Sequence, residues 1–120
     1  MTPTAAIVNI FTNTNATMRD AFRFGVAGDT SWSFAGCTFK MEVKAARDDA
    51  TPLLTMTGAN GMIVVDDAVQ RVLHFNVSKA DLAALPPAEY VYDLVMTDAS
   101  SVLTVLMAGK LTTEKGVTED

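Results

Sequence analysis

The sequence contains a single cysteine, a single histidine and a single tryptophan among 120 residues, and this scarcity excludes several kinds of site. Cys37 has no second cysteine to pair with, so the fold must be held by packing alone. A zinc centre needs several Cys and His ligands, and Cys37 and His74 are too few. Gly58 and Gly61 are not followed by the Lys-Ser pair and helix of a phosphate-binding loop. The sequence therefore predicts neither a cofactor nor a metal.

Basic residues are also few: 9 Lys and Arg stand against 14 Asp and Glu, for a formal net charge of -5. A sequence-independent grip on phosphates needs clustered basic side chains, so nucleic acid is not an expected partner. No apolar run approaches the ~20 residues of a membrane-spanning helix. The segment Met1 to Asn9 lacks the basic start and continuous apolar stretch of a signal peptide. We expect a soluble protein that is made in a cytoplasm.

What the sequence does contain is enough apolar material for a core, with 49% hydrophobic and 19% charged residues. This length is in the usual range of one domain. We expect a single domain over residues 1–120, with a core over about residues 4–113 and a polar, frayed tail from Thr113 to Asp120.

Alternation of apolar and polar residues predicts β-strands along most of the chain. The clearest case is Cys37 to Lys44, in which Cys37, Phe39, Met41 and Val43 share one face. Further strands are predicted for Ala5 to Phe11, Phe22 to Val26, Val69 to Val77, Glu89 to Thr97 and Val102 to Thr112.

Turn residues divide these strands. The pair Asn60-Gly61 between two apolar runs predicts a β-hairpin over Leu53 to Val65, with Gly61 supplying the positive φ and Asp66-Asp67 closing it. Ser78 and Asp81 resemble a capping box, which predicts one short helical turn near residues 79–84, ended by Pro86-Pro87. Strands at this spacing, with so little helix, indicate an antiparallel β-sandwich of about seven or eight strands.

The segment "LPPAEYVYDLVMTD" fits a known device of such sandwiches. A tyrosine just inside a strand, after a tight crossover, returns its hydroxyl to a backbone group upstream. Tyr90 after Pro86 and Pro87 has this layout. With Tyr90 inside, Tyr92, Leu94 and Met96 also face the core, and Val91, Asp93 and Val95 face outward. We therefore predict structural roles for Tyr90, Pro86, Pro87 and Gly61, and a contact surface at Val91, Asp93 and Val95.

The remaining candidates for chemistry have ordinary structural explanations. His74 lies in a predicted strand on its less buried face, and no serine occurs in a nucleophile-elbow motif, so no enzyme activity is expected. The acidic pairs in loops do not match a calcium-binding loop. Trp32 is either an exposed anchor for a partner or a sugar, or a core aromatic at one end of the sandwich, and the second is favoured.

Three segments together resemble small proteins of tailed bacteriophages and prophages: "TPLLTMTGANGMIVVDD", "RVLHFNVSKADLAALPPAEYVYDLVMTD" and "VLTVLMAGKLTTEKGVT". The pattern is a turn Asn-Gly, a Leu-Pro-Pro crossover, a Tyr-x-Tyr-Asp-Leu strand, a Leu-x-x-Gly strand and a terminal Val-Thr. The chain is also similar to the N-terminal immunoglobulin-like domain of siphophage upper baseplate proteins. The resemblance covers about Phe22 to Thr118.

This resemblance implies an immunoglobulin-like sandwich that is a structural or adaptor component of a virion, in the tail, baseplate or neck or at a fibre attachment point. Its partners would be other virion proteins, including further copies of itself. Apolar residues on both predicted faces of the last two strands agree with such contacts. The alternative is a module that binds a carbohydrate or receptor through Trp32 and the acidic loops.

Overall fold

The computed structural model describes residues 6–26 and 28–117, which form two β-sheets packed face to face with one short helix. In chain order the elements are β1 (Ala6–Ile7), β2 (Ile10–Asn13), β3 (Ala21–Arg23), β4 (Thr38–Lys44), β5 (Leu54–Thr57), β6 (Ile63–Asp67), β7 (Val72–Phe75), α1 (Lys79–Leu82), β8 (Glu89–Thr97) and β9 (Leu103–Glu114).

The larger sheet has the order β1-β9-β8-β4-β5, and β2 extends the pairing of β1 along β9. The smaller sheet has the order β3-β7-β6. This strand order, with the first strand beside the last and the third, sixth and seventh strands in the other sheet, is immunoglobulin-like. The predicted fold class is confirmed. The pairs of β1 and β2 with β9 are parallel, whereas every other pair is antiparallel.

Strand alternation builds the core between the sheets. The inner rows of β4, β7 and β8 are buried, as the sequence pattern predicts, and they meet Leu82 and Leu85 from the segment around α1. Burying each such Leu, Met or Phe side chain contributes ~1.5–3 kcal/mol. The members of these rows are Phe39, Met41, Val43, Leu73, Phe75, Tyr90, Tyr92, Leu94 and Met96.

The crossover before β8 has the predicted corner. The Ser78 hydroxyl accepts from the Asp81 amide at 3.1 Å and starts α1. The Asp81 carboxylate accepts from the Ser78 hydroxyl, whereas in a capping box it would accept from the Ser78 amide. Turn bonds continue to Leu85, directly before Pro86 and Pro87. The Tyr90 hydroxyl then donates to the Pro86 carbonyl four residues upstream. This bond fixes the entry into β8.

The predicted hairpin over Leu53 to Val65 is wrong. Strand β5 pairs with β4 and β6 pairs with β7, so the segment at Asn60-Gly61 crosses from one sheet to the other. Gly61 does have positive φ, at +80°. The Asn60 side chain accepts from the amides of Thr57 and Met62 at 3.0 and 3.1 Å, which supports a wide turn instead of a two-residue hairpin. The actual hairpin joins β6 and β7, and Asp66 and Asp67 belong to β6.

Strand β9 departs from simple alternation. Leu94 pairs with Met107 whereas Val95 pairs with Val105, so Leu106 is an extra residue in a β-bulge. Leu106 and Met107 are both buried as a result. Simple alternation would place Leu103, Val105 and Met107 on one face, but the bulge turns Met107 into the core while Leu103 and Val105 stay exposed. The strand also extends to Glu114, beyond the predicted start of the tail at Thr113, and the final residues 118–120 lie outside the described part.

Two other predicted strands are shorter than expected. Strand β3 ends at Arg23 because Gly25 adopts φ +80°, and Val26, the last residue of the predicted strand, is 72% exposed. Strand β7 begins at Val72 rather than Val69, because Arg71 adopts φ +56° in the turn that precedes it.

The predicted first strand is divided into β1 and β2 at Val8 and Asn9. The Val8 amide donates to the Ala108 carbonyl at 2.9 Å, and the Asn9 side chain accepts from the Lys110 amide at 3.2 Å. The Tyr92 hydroxyl reaches across from β8 and donates to the Val8 carbonyl at 2.6 Å. The first strand is thus attached to both β9 and β8.

Ionisation of Tyr92 is expected to destabilise the fold at high pH. Burial raises the pKa of Tyr92 from 10 to about 12, and its phenolate would face the Val8 carbonyl. Because the folded state holds this proton more tightly than the unfolded state, the contribution is intact below pH 10 and is lost as pH rises toward about 12. We expect urea unfolding to show a fall in stability over this range that is smaller in Tyr92→Phe. An equal fall in both proteins would contradict this role.

Candidate interaction face

The solvent side of the larger sheet brings together three of the residues predicted as a contact surface. We call this side the outer face. Val91, Asp93 and Val95 point outward from β8, with Asp93 exposed and both valines half-buried. Their neighbours on β4 are Lys40, Glu42 and Lys44, which alternate in charge. These residues face outward because the intervening residues of β4, Phe39, Met41 and Val43, fill the core.

The β9 side of the outer face is apolar and exposed. Leu103 is 68% exposed, and Val105 beside Val95 is 39% exposed. The parallel register also places Ile7 and Phe11 on this side, beside Ala108 and Thr112, and they are 80% and 68% exposed. Exposed apolar side chains that share one sheet face are typical of protein-contact surfaces. Ile7 and Phe11 could not be placed here from the sequence, because alternation does not reveal which strand they join.

Two carboxylates meet at the centre of the outer face. Glu42 of β4 pairs directly with Asp93 of β8, and like charges in this arrangement are unfavourable. Neither forms an ion pair within the described part of the chain. They border a depression of about 260 Å³ whose walls include Val91, Val105 and Ala108. Ala108, which pairs with Asp93 from β9, presents only a methyl group to it.

Trp32 lies apart from the outer face, in the segment between β3 and β4. Its ring is edge-on to Phe34 at 5.8 Å between centroids, and the guanidinium of Arg71 lies over it at 5.1 Å. The side chain is half-buried, and its indole nitrogen is buried without a hydrogen-bond partner. Trp32 therefore packs at one end of the sandwich, the interpretation that the sequence favoured, and does not join the other three contact residues.

Arg71 connects several main-chain segments at that end of the molecule, and the sequence did not predict this role. Its side chain is fully buried. The Nε atom donates to the Phe24 carbonyl at 2.7 Å, and the terminal nitrogens donate to four further main-chain carbonyls, those of Val26, Asp29, Trp32 and Val69. The guanidinium fork suits this set because its donors diverge in a fixed plane. The only available signal was a lone arginine at the start of an apolar strand.

The possible catalytic groups lie elsewhere. His74 and Asp66 form a pair on the solvent side of the smaller sheet, with Nδ1 2.8 Å from Oδ2. Cys37 is half-buried just before β4, and burial raises the pKa of its thiol, with the negative charge of Asp98 as a smaller cause. This disfavours the thiolate that a nucleophile needs. The His74 pair and the thiol belong to different sheets.

The described part of the chain comprises residues 6–26 and 28–117. Within these ranges no three His, Cys, Asp or Glu side chains are grouped so that they could hold a metal ion. In the same ranges, no helix has the length and apolar character to cross a membrane.

Comparison with known proteins identifies no family for this chain. No protein-family model matches the chain, and no curated protein matches it. Among solved structures, CopC from Methylosinus trichosporium OB3b is similar with a TM-score of 0.43 and 8% identity, over 95% of this chain and 89% of that chain. A likeness at this level supports no inference about function.

Proposed function

We propose that the protein is a non-enzymatic structural or adaptor subunit that acts through protein contacts of its outer face. The observation that carries this proposal is the row of exposed apolar side chains, from Ile7 and Phe11 to Leu103 and Val105, on one side of the larger sheet. A lone soluble domain gains nothing by leaving these side chains in water, whereas a neighbouring subunit would bury them.

The setting we propose is the virion of a tailed bacteriophage, in the tail, baseplate or neck or at a fibre attachment. The support is the resemblance of the Leu-Pro-Pro crossover and the Tyr-x-Tyr-Asp-Leu strand to small phage proteins. The stacking of Arg71 on Trp32 argues against the alternative of a carbohydrate-binding module, because it occupies a ring face that a sugar would use.

Mass spectrometry of particles purified from the bacterium that carries the gene tests this setting. We expect the chain to be present at a fixed copy number relative to the major capsid protein. Replacing the gene with Leu103→Asp should lower its recovery by about tenfold or more, because a carboxylate would be buried in the contact. Absence of the wild-type chain from the particles would refute the proposal.

A matched control separates the outer face from general surface effects. Val69 is, like Leu103, an exposed apolar side chain, with 53% of its surface in contact with water. It lies in the turn between β6 and β7 of the smaller sheet. Val69→Asp should leave incorporation unchanged. If both variants were lost equally, the contact would not be specific to the outer face.

A further inference from the structure

A cleft opens at the side of the sandwich, between β4 of the larger sheet and β6 of the smaller one. Its volume is about 680 Å³, and it is lined mainly by apolar groups, including Cys37, Phe39, Ile63 and Val65. It exists because β5 is short: the pairing of β5 with β4 ends at Thr57 opposite Lys40 and leaves the first residues of β4 without a strand on that side.

Val65 shows that the cleft exposes core positions. It pairs with the buried Leu73 of β7, so both side chains point between the two sheets. Leu73 is fully buried, whereas Val65 is 39% exposed. An inward-facing valine at the edge of a core is left in water because nothing in the described chain covers it.

Strand β6 also presents unpaired main-chain groups along this cleft. It pairs with β7 alone, so its other edge is open. The Asn76 amide donates to the Met62 carbonyl, and the alternation of an antiparallel ladder then directs the main-chain groups of Ile63 and Val65 away from β7. A row of free N–H and C=O groups is a template for one kind of ligand, an extended peptide.

We propose that this cleft binds an extended segment of a partner protein, which adds to β6 as a further strand and places alternate apolar side chains over Phe39 and beside Val65. Lys40 lines the cleft and has no ion pair among the described residues, so the segment is expected to carry a carboxylate near it. Lys40 lies at the margin of the outer face as well, but the strand edge and the apolar lining of the cleft are separate from that face, and the site does not depend on its function.

A synthetic peptide, Glu-Val-Thr-Val-Thr-Val-Thr-amide with a fluorescent label, tests the proposal by anisotropy with the full chain. We expect binding with a dissociation constant below about 1 mM. A peptide with proline in place of the central valine should bind about tenfold more weakly or worse, since it cannot donate to the edge. Val65→Lys in the protein should weaken binding similarly, and Leu103→Asp on the outer face should not.

Two readouts on the wild-type chain locate the peptide without relying on a variant. Occupancy should slow modification of Cys37 by a maleimide and should protect the Val65 amide from hydrogen exchange. Equal binding of the proline peptide would show an apolar pocket without strand addition and would overturn the proposal. So would no binding at about 1 mM, or a Val65 amide that is already protected in a dimer of this chain.

Discussion

Replacing Arg71 with methionine is expected to lower the free energy of unfolding by about 3–5 kcal/mol. The guanidinium is fully buried and donates only to main-chain carbonyls. Methionine fills much of the space but supplies no donor. Because the acceptors belong to the backbone, they remain in place and lose their hydrogen bonds together.

Urea unfolding measures this loss, and two further variants separate the geometry of the guanidinium from its charge. Arg71→Lys should recover little, since one ammonium cannot reach carbonyls spread around a planar fork. Arg23→Met removes the same charge from an exposed position on β3 and should change stability by less than about 0.5 kcal/mol. A loss below about 1 kcal/mol in Arg71→Met would mean that the segment between β3 and β4 is held by Trp32 and Phe34 without the arginine.

Gly109→Ala is expected to detach the first strand from the larger sheet and to cost about 2 kcal/mol or more. A Cβ atom at Gly109 would lie 2.3 Å from the Val8 carbonyl oxygen and 2.9 Å from its carbon. The φ of +155° is also one that other residues rarely adopt. The Val8 carbonyl cannot move aside freely, because it accepts the Tyr92 hydroxyl.

Hydrogen exchange distinguishes detachment from general unfolding. The amides of β2 should lose protection in Gly109→Ala while those at the β4–β8 pairing keep it. Gly58→Ala is the matched control, since its added Cβ would meet nothing closer than 3.8 Å and its stability should be unchanged or slightly higher. Unaltered protection of β2 in Gly109→Ala would contradict this account.

The local sequence pattern was sufficient to predict those features of the fold that are determined within a single strand. Alternation predicted the inner and outer rows of β4 and β8, and it placed Asp93 outward. The Tyr90 corner was predictable because the tyrosine, the prolines and the accepting carbonyl lie within a few residues of each other.

Features that depend on distant parts of the chain were not predictable. Asn60-Gly61 fits a hairpin locally, but each flanking strand finds its partner elsewhere. The bulge at Leu106 is decided by packing against β8, and the role of Arg71 depends on carbonyls as many as 47 positions away. The same limit applied to the outer face: alternation placed Val91 and Val95 there, but it could not place Ile7 and Phe11.

The parallel pairing of β1 and β2 with β9 determines how the domain would respond to mechanical tension. A pull that draws the chain before Ala6 and the chain after Glu114 apart acts along these strands in opposite directions. The hydrogen bonds between them are then loaded in shear and must break together, whereas a pull across a hairpin would open them one at a time. A subunit held between two neighbours by these segments would resist extension until β1 and β2 slid along β9 as a unit.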